Sequence, residues 1–360
     1  MLLKKISLQN YRNIEFASLE FQGNEAFFVG ANGQGKSNFL EAIGYVSALR
    51  SFRTNDRRIL IRDGAEEAKI CYELEHEQRG ATSLMVGLRS SGKEVECDGE
   101  KVGRLADHIG LFPTVIFGSA DIQLIRGAPA LRRRFFDLYL SSLDRTYLKT
   151  LQVFHKALQE RNSLLKNEGD EDQLEAFDAQ LIPAGVRLIQ MRQKASLVLN
   201  EQLSAFYESI SEGKEKAGFV YRPNLEVDTE ESFRTMLEKS RRRDQMTGVT
   251  QRGPHRDDCL FQLNGKDALA YGSEGQQRGV VLALRFAQIR GCRERTGISP
   301  LVLADDVMGE LDPVRRGYFW QTLDSDIQVF ATGTVIPEVV AKRSWSVFDV
   351  REGVFTPTGE

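Results

Sequence analysis

The residues of this 360-residue chain best suited to chemistry are a lysine, a serine and two aspartates, set at the ends of two apolar strands far apart in sequence. Gly30-Ala31-Asn32-Gly33-Gln34-Gly35-Lys36-Ser37 fits G-x-x-x-x-G-K-[ST] at every fixed position. The apolar stretch from Glu25 to Val29 precedes it, and an amphipathic segment from Asn38 to Leu49 comes after. Strand, loop and helix in that order form the setting in which such a loop binds phosphate. Glycines let successive N–H groups turn inward, and the helix N-terminus adds the positive end of its dipole. Lys36 is placed to reach the β- and γ-phosphates of a nucleoside triphosphate, and the Ser37 hydroxyl to ligate Mg²⁺. Far downstream, Leu301-Val302-Leu303-Ala304 ends on Asp305-Asp306. Asp305 would complete the Mg²⁺ shell with Ser37, and Asp306 would orient or deprotonate the attacking water.

Four further positions suit the same chemistry. Ser273-Glu274-Gly275-Gln276 opens an apolar helix from Val280 to about Gly291, so Ser273 can cap it while the free N–H groups meet an anion. The strand Ile327-Gln328-Val329-Phe330-Ala331 ends at Thr332, whose hydroxyl could meet the γ-phosphate. Asp121, after the strand Thr114-Val115-Ile116-Phe117, is a candidate metal or γ-phosphate sensor, or simply a cap for a helix starting at Ile122. Arginines cluster at Arg50, Arg53, Arg57 and Arg58 and in the triplets Arg132-Arg133-Arg134 and Arg241-Arg242-Arg243. Each cluster reads either as a phosphodiester contact or as a solvated run with partners such as Asp137 and Asp244.

Positioning these groups calls for an α/β domain. Alternating segments at 68–75, 81–88 and 93–97 predict an antiparallel sheet appended to the first half. From Pro129 to about Arg243 the pattern turns helical. Leu148, Leu151, Phe154, Leu158 and Leu165 form one stripe, and Leu174, Phe177, Leu181, Ala184, Leu188, Met191, Ala195 and Val198 another. They predict an antiparallel helical hairpin turning at 166–172, with Pro183 kinking or breaking its second helix. The expected organisation is a head over 1–125 and 249–360 with a helical lobe at 126–248. The 48 Lys and Arg against 51 Asp and Glu give a net charge of −3, so bulk charge does not advertise a nucleic-acid partner. No apolar run approaches a membrane span, and a cytoplasmic location is expected. Cys71, Cys97, Cys259 and Cys292 lack metal-ligand spacing and are expected as reduced core residues.

Phosphate loop, S-x-G-Q and Asp-Asp before Glu310-Leu311-Asp312 together resemble the ABC-type ATPase heads of the SMC class, and among these the RecF family. Gln9-Asn10-Tyr11-Arg12-Asn13, Ser51-Phe52-Arg53-Thr54 and Gly253-Pro254-His255-Arg256-Asp257-Asp258 extend the likeness over nearly the whole chain. It implies an ABC-type P-loop head, a mixed central sheet plus an antiparallel β subdomain, with an inserted α-helical lobe. It further implies that Ser273, Gly275 and Gln276 reach the γ-phosphate held by a second copy, so that ATP closes a homodimer. Asp312 would then face that copy, and Thr332 would stand where many such ATPases carry a switch histidine. The segment Phe117-Gly118-Ser119-Ala120-Asp121 departs from the family's Phe-Ser-Pro-Glu-Asp, and Gly309 replaces a usual serine. Implied partners are double-stranded DNA and single-strand/double-strand junctions, RecO- and RecR-type mediators, and RecA. The ATPase subunit of a membrane transporter shares loop and signature but not the insertion or the Asp-Asp pair. A phosphate-loop kinase would leave the signature helix without a purpose.

Overall fold

The structure is a computed structural model describing residues 1–167, 171–338 and 345–358. In chain order its strands are β1 (Leu2–Tyr11), β2 (Ile14–Glu20), β3 (Glu25–Val29), β4 (Glu67–His76), β5 (Gly80–Arg89), β6 (Gly92–Cys97), β7 (Glu100–Lys101) and β8 (Thr114–Gly118). Next come β9 (Ala217–Arg222), β10 (Asp258–Leu263), β11 (Lys266–Asp267), β12 (Leu301–Asp305), β13 (Val329–Gly333), β14 (Ser346–Arg351) and β15 (Val354–Pro357). The longer helices are α1 (Lys36–Ala48), α2 (Pro129–Leu143), α3 (Arg145–Lys166), α4 (Glu171–Ile210), α5 (Glu230–Thr247), α6 (Glu274–Thr296) and α7 (Pro313–Thr322).

Two compact units divide the chain, one of residues 1–121 and 288–360 and one of 122–287. The first holds two six-stranded sheets. One is antiparallel in the order β2-β1-β4-β5-β6-β7, and its strands alternate buried and exposed as a half-covered sheet must. The other runs β15-β14-β3-β13-β12-β8 and is parallel except for β15. Its central strands β12 and β13 are buried nearly throughout, as a parallel sheet requires. An aromatic cluster supports the strand that feeds the phosphate loop: Phe28 stacks on Phe348 at 5.3 Å and meets Phe39 of α1 at 4.8 Å. The mixed sheet and the antiparallel sheet are those expected, and the hairpin β14–β15 adds to them. Its turn, Glu352-Gly353, has φ values of 49° and 82°, the pair that a two-residue hairpin turn needs.

Within the second unit α3 packs along α4, so the helical hairpin is present, while residues 168–170 of the turn expected at 166–172 lie outside the described residues. Helix α4 continues through Pro183, so the expected break is absent. Leu181, Ile182, Ala184, Val186, Leu188 and Ile189 are all buried around it, and that packing outweighs the lost backbone bond. The apolar stripe also rotates: Leu199 is buried and Val198 lies exposed. A three-stranded sheet, β11-β10-β9, belongs here too. Residues 249–287 therefore group with the second unit rather than with the head, because β10 pairs with β9 and packs on α2. All four cysteines are free, but only Cys259 and Cys292 are core residues; Cys71 stands on the solvent face of β4.

Charge is buried at the heart of this unit. Arg161, fully enclosed, donates from Nε to Asp178 at 2.7 Å and from Nη1 to Asp244 at 2.9 Å. Arg192 bonds Asp257 at 2.8 Å and Asp137 at 2.7 Å. Arg132 forms a two-pronged pair with Asp258 at 2.6 and 3.0 Å, which removes it from the candidate DNA contacts. Arg241 lies 3.5 Å from Asp178, whereas Arg242 and Arg243 are exposed.

Candidate functional site: a phosphate loop at the ends of parallel strands

The carboxyl ends of β3, β8, β12 and β13 lie level with one another along one edge of the mixed sheet. Val29 pairs with Gly333 and Asp349, and Asp305 pairs with Gly118. Open parallel sheets offer their binding crevice at this edge. The loop that leaves β3 has φ values of 81° at Gly33 and 115° at Gly35, which only glycine adopts without strain. Gly30 is required for a different reason, since a Cβ there would stand 2.4 Å from the Val350 carbonyl oxygen.

Lys36 folds back over the loop, its Nζ donating to the carbonyls of Gly30 at 2.6 Å and Ala31 at 2.8 Å. Burial lowers the ammonium's pKa, while Asp306 and Asp305 oppose that shift. The Ser37 hydroxyl donates to Asp305 Oδ1 at 2.7 Å, joining residues 268 positions apart. Thr332 Oγ1 donates to the same Asp305 oxygen at 3.0 Å and accepts the Asp306 N–H at 2.9 Å. Asp306 is itself left-handed, with φ 55° and ψ 22°. Asp121 turns back to accept the Gly118 N–H at 3.2 Å, one strand over from Asp305.

Two hairpin turns grip the loop from outside. Gln34 accepts the Glu352 N–H on its side-chain oxygen and the Gly353 N–H on its carbonyl, each at 2.8 Å. Asn13, in the β1–β2 turn, donates to the same carbonyl at 3.2 Å. Asn13 also receives Asn38 Nδ2 at 2.8 Å, and Asn38 receives Arg53 at 2.7 Å. Below them Glu41, with no exposed surface, accepts a bidentate pair from Arg12 at 2.9 and 2.8 Å, and the Ser51 hydroxyl. Sequence reasoning names Gln34, Asn38 and Arg53 for the site but misses the joints they make, because most of their partners lie far away along the chain.

Lys36, Ser37, Asp305, Asp306, Thr332 and the loop from Gly30 to Asn38, with Ala31, Asn32 and Gln34 between, thus come together in the first unit. Ser273, Gly275 and Gln276 belong to the second. There Ser273 Oγ accepts the Gln276 N–H at 3.3 Å and Gln276 Oε1 accepts the Ser273 N–H at 2.8 Å, a reciprocal cap at the start of α6.

Among known proteins the chain matches the RecF/RecN/SMC N terminal domain family over residues 2–352. It is 33% identical to the DNA replication and repair protein RecF of Halalkalibacterium halodurans, over 100% of both chains. The RecF of Streptococcus gordonii is 36% identical, with 98% of this chain and 99% of that one covered. The chain belongs to the RecF family. A solved structure of the recombination mediator protein RecF with ATP, in the RecFOR pathway, superposes with a TM-score of 0.92 at 33% identity, covering 99% of this chain and 97% of that one. An Smc head bound to the C-terminal winged-helix domain of ScpA shares the fold, with a TM-score of 0.57 at 15% identity. The ABC-type head with ATPase architecture is therefore established, and the transporter alternative gains no support. No helix among the described residues is long and apolar enough to cross a membrane.

The site fits the ligands its RecF kinship implies. The glycine-permitted loop and the start of α1 suit a triphosphate, and Ser37 with Asp305 offers the hydroxyl and carboxylate that would hold Mg²⁺. That ion, when bound, supplies neutralising charge to the phosphate oxygens.

Proposed function

We propose that the protein is an ATP-dependent DNA-binding protein of recombinational repair and replication, acting in the cytoplasm as a clamp on double-stranded DNA near single-strand gaps. The observation that carries the reading is the Ser37–Asp305 bond beneath an intact phosphate loop, in a chain of RecF kinship. Lys36 binds the β- and γ-phosphates, and Ser37 and Asp305 hold Mg²⁺, with Asp121 flanking them. Asp306 orients the attacking water. An aspartate reaches less far than a glutamate, so hydrolysis is slow, and DNA speeds it. Ser273, Gly275 and Gln276 of a second copy close over the γ-phosphate, so ATP adds association energy that hydrolysis removes.

Positive charge on the first unit supports the DNA reading. Arg50 is exposed and Arg57 and Lys93 half-buried, and burial, then Arg57 and Arg50, lower the Lys93 pKa. Such a cluster gains most from a phosphodiester backbone. RecO- and RecR-type mediators and RecA are the partners that family kinship suggests.

Light scattering of the wild type and of Lys36→Met, with ATP, ADP or no nucleotide and with or without duplex DNA, tests this reading. Dimers are expected with ATP alone and only in the wild type. Ser273→Arg should keep nucleotide binding and lose the dimer. Normal dimerisation of that variant would remove the signature from the mechanism.

A further inference from the structure

Thr332 stands in the strand sequence Val329-Phe330-Ala331-Thr332-Gly333, every residue of which is buried. A valine would fill the same space, so packing alone gives no reason for the hydroxyl. Its one proton is committed to Asp305 Oδ1 at 3.0 Å, and its oxygen accepts the Asp306 N–H at 2.9 Å. A γ-phosphate oxygen needs a donor, and this hydroxyl has no second proton to offer. With 1% of its surface exposed, it also has little access to a ligand. The role expected from the sequence, a direct contact to the γ-phosphate, therefore does not suit this geometry.

We propose instead that Thr332 is a positioning residue that sets both carboxylates of the site through one hydroxyl. As donor it shares Asp305 Oδ1 with Ser37, whose own bond is 2.7 Å, and so fixes the rotamer in which that carboxylate meets the serine. As acceptor it holds the N–H of Asp306 and thereby the left-handed turn, φ 55° and ψ 22°, from which the Asp306 side chain departs. A single oxygen thus couples the residue that holds the metal to the residue that orients water. The assignment rests on the ATPase reading above.

The test compares Thr332→Val, which keeps shape and loses the hydroxyl, with Thr332→Ser, which keeps the hydroxyl. A fluorescent ATP analogue is titrated with and without Mg²⁺, and kcat and KM for ATP are measured on the full chain. For Thr332→Val, binding without Mg²⁺ should stay within about twofold of wild type. The Mg²⁺ concentration for half-maximal tightening should rise about tenfold, the worth of one hydrogen bond to a charged group. The kcat value should fall by at least that factor, with KM little changed, and Thr332→Ser should restore both. Wild-type Mg²⁺ dependence and kcat in Thr332→Val would overturn the assignment alone. Equal impairment of the serine variant would overturn it as well, by assigning the effect to the methyl group. A wild-type protein that binds no ATP would overturn the ATPase reading and the assignment with it.

Discussion

Replacing Gly353 by alanine asks whether the β14–β15 turn sets the affinity of a site it does not line with chemistry. A Cβ at φ 82° is strained, at a cost of about 1–2 kcal/mol. It would also stand 2.6 Å from the carbonyl oxygen of Asn13, which is backbone and cannot swing aside, so the turn must withdraw. Withdrawal breaks the bonds from Gly353 N–H and Glu352 N–H to Gln34, both 2.8 Å long. At about 1 kcal/mol each these hold about 2 kcal/mol of order in the phosphate loop, and restoring that order on binding weakens ATP by about thirtyfold. Gln34→Ala removes only the bond from Glu352 and should weaken ATP about fivefold. Titration of a fluorescent ATP analogue measures both, with thermal melting to confirm that each variant is folded. A folded Gly353→Ala that binds ATP within twofold of wild type would refute the bracing argument.

Two further outcomes are expected from the second unit. Asp244→Ala leaves the enclosed Arg161 with one carboxylate, Asp178, and the Thr250 hydroxyl, and urea unfolding should show a loss of about 3–5 kcal/mol; a loss below about 1 kcal/mol would mean that the pair is solvated. His255 is held neutral down to about pH 4 by burial, against the smaller pull of the Thr250 carbonyl and with Arg256, His155 and Arg133 pushing the same way as burial. The unfolded chain takes up that proton near pH 6.5, so stability should be level above about pH 7 and fall as pH drops from about 6.5 to 4. His255→Gln should flatten that slope in melting experiments, and an unchanged slope would assign it to other groups.

The chemistry-bearing half of the site was legible because its signals are local. Gly30 to Ser37 carries its own backbone requirements, and Asp305-Asp306 ends an unmistakably apolar strand. What binds these parts to one another was not legible. Gln34 reads as a variable loop position, and only the return of the chain at Glu352-Gly353 reveals it as a joint. Thr332 falls at the expected strand end, and its bonds to Asp305 and Asp306 were not legible, since hydroxyl direction is set by the neighbouring strand. Strand β9 is lost inside a long helical pattern, because six residues pairing with β10 leave little periodicity of their own. The arginine triplets mislead in the opposite direction: charge runs in sequence look solvated, yet Arg132 is sequestered by Asp258 across 126 residues.

Glu41 gives the first unit a mechanical property. One buried carboxylate clasps Arg12 from the first hairpin and Ser51 from the loop after α1, while belonging to α1 itself. The three meet in direct hydrogen bonds, so separating Arg12 from Glu41 strands a buried charge and moving Ser51 removes a further bond to it. The triphosphate end of α1 is therefore tied by direct hydrogen bonds to the arginine-bearing loop.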